Sequence, residues 1–169
     1  MIGRHREGLG RVLVLALIVW GGAPGCARRE TAGSDIEVPR AYISEPVMGE
    51  RAAMYFTVIN RGDLADQLVG VSTPVAESAE IHRTIADGDM MRMEPVESVR
   101  VSPGEALHFA PGGYHVMLLA FKNPIAPGDE IDATLTFRRA GKVSVKARVI
   151  ALPQLEGVLD SAAGSGQYH

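Results

Sequence analysis

Two histidines and a small group of methionines in the middle of the chain have the types and spacing to do chemistry. His82 stands within one strand-like run. Met91 and Met93 lie two apart in the next, Met-Met-Arg-Met-Glu, and His115 and Met117 lie two apart in a third, Tyr-His-Val-Met-Leu. Residues i and i+2 of a β-strand point to the same face, with Cα atoms about 6.6–6.8 Å apart. His115 and Met117 can therefore aim at one point while Val116 faces away. Met93, or Met91 behind it, can reach that point from a neighbouring strand, and so can His82.

Such a set selects its metal. Thioether sulfur is soft and neutral and favours Cu(I), whereas imidazole suits Cu, Zn, Fe and Ni alike. Zinc would recruit thiolate or carboxylate ligands as well. A blue-copper site needs a Cys thiolate beside two His, and the only cysteine, Cys26, lies far upstream. The residues thus point to closed-shell Cu(I) and away from redox cycling. The competing reading is packing: a Met on a strand is more often core filling than a ligand.

The elements that must position these residues read as short strands. Runs at Ile36–Ile43, Ala52–Asn60, Asp66–Ser72, Ala79–Thr84, Met90–Pro95, Ala106–Phe109, His115–Phe121, Glu130–Arg138 and Val143–Ala151 are separated by turn signals such as Asn60-Arg61-Gly62-Asp63 and Pro127-Gly128-Asp129. The spacing suits a sandwich or barrel. No stretch of 11 or more residues presents a sustained helical apolar period, so the expectation is all-β: an antiparallel Greek-key β-sandwich forming one domain over residues 36–152. From Pro153 to His169 the chain turns rich in Gly, Ser and Ala and is expected to fray as a flexible tail.

Composition and the N-terminus set the compartment. With 46% hydrophobic and 22% charged residues the chain is not disordered. Its net charge of −3 becomes more acidic once Arg4, Arg6, Arg11 and Glu7 are set aside, which argues against nucleic-acid binding. Those residues begin a leader whose Val12–Trp20 apolar run ends at Gly21-Gly22-Ala23-Pro24-Gly25, the pattern of an export signal over residues 1–25. Nine apolar residues are too few to cross a bilayer, which takes about 20 as a helix. Ala23-Pro24-Gly25-Cys26 resembles a lipobox, although Ala23 and Pro24 depart from its preferred residues. Lipidation at Cys26 and plain export are the two alternatives, and both place the protein in the periplasm or cell envelope. Residues 26–35 then read as a tether.

The middle of the chain resembles the periplasmic PCu(A)C copper-chaperone family, whose ligands follow His-(10 residues)-Met-(21 residues)-His-x-Met. Ten residues separate His82 from Met93, twenty-one separate Met93 from His115, and Met117 follows two later. Glu80-Ile81-His82, Met91-Arg92-Met93 and Pro111-Gly112-Gly113-Tyr114-His115-Val116-Met117-Leu118 match the family's surroundings, as does Ala53–Gly62 upstream, followed by Asp66 and Leu68. Arg83 departs from those members that carry Met after the first His. The likeness spans roughly residues 36–151. It implies a cupredoxin-like fold and one Cu(I) held by His82, Met93, His115 and Met117. It also implies delivery to an acceptor such as a cytochrome c oxidase subunit, for its CuA centre, or another copper chaperone.

His108 reads as a sheet-face histidine and Met48, Met54 and Met90 as packing or rim residues, while for Met91 packing and a supporting or transient ligand role are both open. The terminal Gly-Ser-Gly-Gln-Tyr-His holds one His and no Met, so no second copper site is expected there. No nucleophile–base–orienter set stands out, so the expectation is a carrier and not an enzyme. The rival from another class is an exported structural or adhesion-type β-sandwich whose His and Met are merely packed.

Overall fold

A computed structural model describes residues 35–87 and 90–164; the leader, Cys26, the tether to Ser34 and His169 lie outside the described residues. Among the described residues eleven strands precede one helix. The strands are β1 (Ile36–Glu37), β2 (Ala41–Ser44), β3 (Arg51–Asn60), β4 (Asp66–Ser72), β5 (Ala76–Asp87), β6 (Met90–Pro95), β7 (Val99–Val101), β8 (Ala106–Phe109), β9 (Tyr114–Phe121), β10 (Glu130–Phe137) and β11 (Gly141–Ile150). Helix α1 (Leu152–Gly164) follows. Most strands fall where the sequence places them. Pro39, which has no N–H to donate, divides the first expected run into β1 and β2. Strand β7 is absent from the expected runs, because three residues are too few to show a period.

Hydrogen bonding runs continuously in the order β6-β5-β9-β8-β3-β2-β11-β10-β4-β7, with β1 paired to β3. The expected antiparallel pairing holds except between β2 and β11 and at a single β8–β9 bridge, both parallel. Strands from distant parts of this order share one core: Leu68, Val99 and Leu135 gather with Ile81, Val116 and Leu118. The sheet is therefore doubled over on itself, which gives the sandwich-like, cupredoxin-type arrangement. Alternation is plain in β10, where Ile131, Ala133, Leu135 and Phe137 are buried and Glu130 and Asp132 are exposed.

Two buried polar side chains fasten the turns. Asn60 donates to the carbonyls of Leu64 and Val101 at 2.8 and 3.2 Å and accepts from Gly62 N–H at 3.1 Å. Asp66 accepts from the backbone N–H groups of Gln67, Arg139 and Ala140 at 2.7, 2.9 and 2.8 Å. It thereby ties the start of β4 to the β10–β11 turn.

The irregular tail expected from Pro153 onward is helix α1 instead. Leu152, Leu155, Val158 and Leu159 recur at helical spacing, a pattern obscured by Gly157 and the small residues that follow. Pro153 falls in the first turn, where a helix needs no donor. Leu155 is buried with Tyr55 and Ile150, and Val158 and Leu159 pack there with Tyr42 and Ala53. Helix α1 thus covers part of the outer sheet face, opposite the main core.

Candidate metal centre

Strand register brings the sequence-predicted residues onto one face. Residues directly opposite in an antiparallel pair share a face. His82 of β5 stands opposite His115 of β9, and Glu80 stands opposite Met117. Across the other edge of β5, Thr84 stands opposite Met93 of β6 and Ala86 opposite Met91. His82 is the hub of this arrangement. It faces His115 directly and lies diagonal to both Met93 and Met117, a spacing of about 7–8 Å that long side chains can bridge. The intervening residues Ile81, Val116 and Leu118 turn to the opposite face and are buried in the core.

The turn before β9 sets the depth of His115. Gly112 takes a positive φ of 77°, which a side chain would resist, and Gly113 N–H donates to Ala110 carbonyl at 3.0 Å. The Gly113 carbonyl then accepts from Thr84 N–H at 3.1 Å and faces His115 Nδ1 at 3.3 Å. Phe109 braces the turn, stacked on Phe56 at 4.3 Å and tilted against Tyr114 at 5.8 Å between ring centroids.

The two imidazoles lie 5.9 Å apart between centroids, tilted by 46°. Each uses one nitrogen. His82 Nε2 lies 3.1 Å from Glu80 Oε2, and His115 Nδ1 is taken by Gly113. The other nitrogens, His82 Nδ1 and His115 Nε2, are shielded from solvent and have no hydrogen-bond partner. Leaving a buried polar atom unmet costs about 1–3 kcal/mol, which makes these two nitrogens the candidate ligand atoms. Burial pulls the pKa of His115 below its usual 6.5, and His82 nearby adds to that depression, while the Gly113 hydrogen bond opposes it. The ring is thereby kept neutral, the form that binds metal.

Exposure grades across the set. His115 is 3% exposed, His82 and Met117 are half-buried, and Met93 on the edge strand β6 is 59% exposed. Two neutral nitrogens and two thioethers suit a soft cation. No group of three His, Cys, Asp or Glu that could hold a metal gathers among the described residues.

The remaining candidates separate from this centre. Met91 shares the face but lies two residues farther along β6. His108 pairs with Thr57 across β8 and β3, its Nδ1 3.0 Å from Thr57 Oγ1. Met54 is wholly buried in the core, whereas Met48 and Met90 are exposed. Sequence reasoning missed what Glu80 and the Gly113 carbonyl do. The signal for Glu80 is its place two residues before His82, the same i, i+2 rule that joins His115 to Met117.

The LpqE-like family, described as "Putative lipoprotein LpqE-like", matches residues 36–149. The chain is 32% identical over 125 residues to "Putative lipoprotein Lxx21020" of Leifsonia xyli subsp. xyli, covering 69% of this chain and 75% of that one. Among solved structures it is similar to the copper-bound PCuAC domain from PmoF2, with 30% identity, a TM-score of 0.61, and coverage of 71% of this chain and 96% of that domain. It is also similar to CuI-DR1885 from Deinococcus radiodurans, with 27% identity, a TM-score of 0.52, and coverage of 74% and 83%. The chain belongs to the LpqE-like family, and its domain is of the PCuAC type.

Proposed function

We propose that the protein is an extracytoplasmic Cu(I) metallochaperone that carries one ion as cargo on His82, Met93, His115 and Met117. The observation that carries this reading is the pair of buried, partnerless nitrogens, His82 Nδ1 and His115 Nε2, on the face shared with both thioethers. Likeness to a copper-bound and a CuI-bound domain supports copper as the ion. The ligands are neutral and graded in exposure, which favours transfer over storage. An incoming thiolate meets Met93 at the rim first and the buried His115 last. The acceptor we propose is a cytochrome c oxidase subunit undergoing CuA assembly, or a chaperone that serves it. Lipoprotein relatives support an exported, envelope-associated protein, and Cys26 is the anchor we propose for it. Among the described residues no helix is long and apolar enough to cross a membrane. The role needs no catalytic step.

The test is an anaerobic Cu(I) competition titration of Met93→Ala/Met117→Ala. Affinity should fall by more than the ~10–100-fold that loss of a supporting group costs, with the melting temperature nearly unchanged. An affinity equal to the parent's would refute the ligand set. A parent that binds no Cu(I) would favour the structural or adhesion-type sandwich.

A further inference from the structure

We infer that Glu80 is a positioning residue that decides which nitrogen His82 presents to the metal. The inference rests on the copper reading above and adds a residue to it. Glu80 and His82 are two apart on β5 and share the outer face, with Oε2 of Glu80 3.1 Å from Nε2 of His82. A carboxylate oxygen only accepts, and a neutral imidazole carries one N–H. The proton therefore sits on Nε2, and Nδ1 is left as a lone pair. Nδ1 is also the nitrogen that is buried without a partner.

His115 has the reverse arrangement. Its Nδ1–H is held by the Gly113 carbonyl and its Nε2 is bare. The facing rings thus offer nitrogens of opposite kind, each selected by a different acceptor, one a side chain and one the backbone. A metal-binding His commonly donates its second N–H to a carboxylate or carbonyl, which fixes its tautomer and ring orientation. Glu80 has the further advantage of standing opposite Met117, so it braces His82 from the side on which the second thioether lies. Its side chain is 49% exposed, and solvent screens its charge. What remains is orientation. Without Glu80, the His82 ring is free to turn and offer Nε2.

The experiment compares Glu80→Leu and Glu80→Gln with the wild-type protein, using Cu(I) as the probe. Imidazole-15N spectra of the loaded proteins identify the metal-bearing nitrogen of His82, and competition titration gives the affinity. Wild type should bind through Nδ1. Glu80→Leu should lose about 10–100-fold in affinity and shift the metal-bearing nitrogen wholly or partly to Nε2. Glu80→Gln, whose amide oxygen can still accept the N–H, should keep Nδ1 and recover most of the affinity. His115 should bind through Nε2 in all three. A Glu80→Leu protein that matches wild type in affinity and bound nitrogen overturns the proposal. So does a Glu80→Gln protein as weak as Glu80→Leu, which would make Glu80 a charge or an oxygen ligand. A wild-type protein that binds no Cu(I) overturns the copper reading, and this proposal with it. Because Glu80 is half-exposed and outside the core, all three proteins should melt alike.

Discussion

Burial and the ligand role proposed for His115 act in the same direction. Its pKa lies below the usual 6.5 chiefly because the ring is desolvated, so the folded chain resists the proton that an unfolded chain accepts. Above pH 6.5 the ring is neutral in both states and its contribution to stability is complete. As pH falls from 6.5 through the lower folded value, the unfolded chain binds its proton first and the fold loses stability. The melting temperature of the metal-free protein should therefore decline below pH 6.5, and less so in His115→Gln. The same neutrality keeps His115 open to metal below pH 6.5. Acid should release copper with at most two protons taken up per ion, since thioethers do not titrate. Three or more protons in a pH-resolved competition titration would reject the two-His, two-Met set. Asp66 offers a separate test of a single residue. Asp66→Ala strands three backbone N–H groups, each costing about 1–3 kcal/mol when unmet, so urea denaturation should show a loss of about 3 kcal/mol or more.

Helix α1 packs on a cluster of its own and is not part of the main core. The family match ends at residue 149, before the helix starts, and the helix contacts its own small cluster around Tyr55 and Ile150. Burial raises the pKa of Tyr55 above its usual 10.0. Ending the chain at Ala151 uncovers that phenol, so its alkaline titration, followed by ultraviolet absorbance, should move back towards 10.0. Removing only residues 161–169 spares Leu155, Val158 and Leu159, and should leave both Tyr55 and Cu(I) affinity unchanged. Elements are unequally legible in the sequence. Alternation and turn residues locate β4 at both of its ends and β10 at its first residue, and the i, i+2 rule joins His115 to Met117 from their spacing alone. Pairing between distant strands is not legible, because nothing local says that His82 faces His115. The helix escapes because Pro153 and Gly157 read as breakers, whereas the apolar stripe that stabilises it has meaning only against Tyr55 and Ile150. The bare nitrogens emerge only once both the register and the hydrogen-bond partners are in place.

At the scale of the whole molecule, the proposed copper ligands and the core occupy opposite faces of one sheet. The core gathers from strands throughout the doubled sheet, and Ala76, Ile81, Val116 and Leu118 connect it to the strands that carry the imidazoles. Folding therefore does not wait for metal. The metal-free protein should show full strand content by circular dichroism, and copper should raise its stability only by mass action, about 2.7 kcal/mol when free Cu(I) is a hundredfold above its dissociation constant. A copper-free chain that is unfolded would contradict this arrangement. The β-pleat also has an evolutionary consequence. Along β9, residues 116 and 118 answer to the interior, while residues 115 and 117 carry the proposed ligands, so two selective pressures are interleaved letter by letter without colliding. Substituting alternate positions, Met93 or Met117 to His for instance, rewrites the ion preferred while the neighbouring letters keep the backbone where it is. The same pleated frame is thus an open template on which descendants can exchange one metal for another by changing two or three side chains.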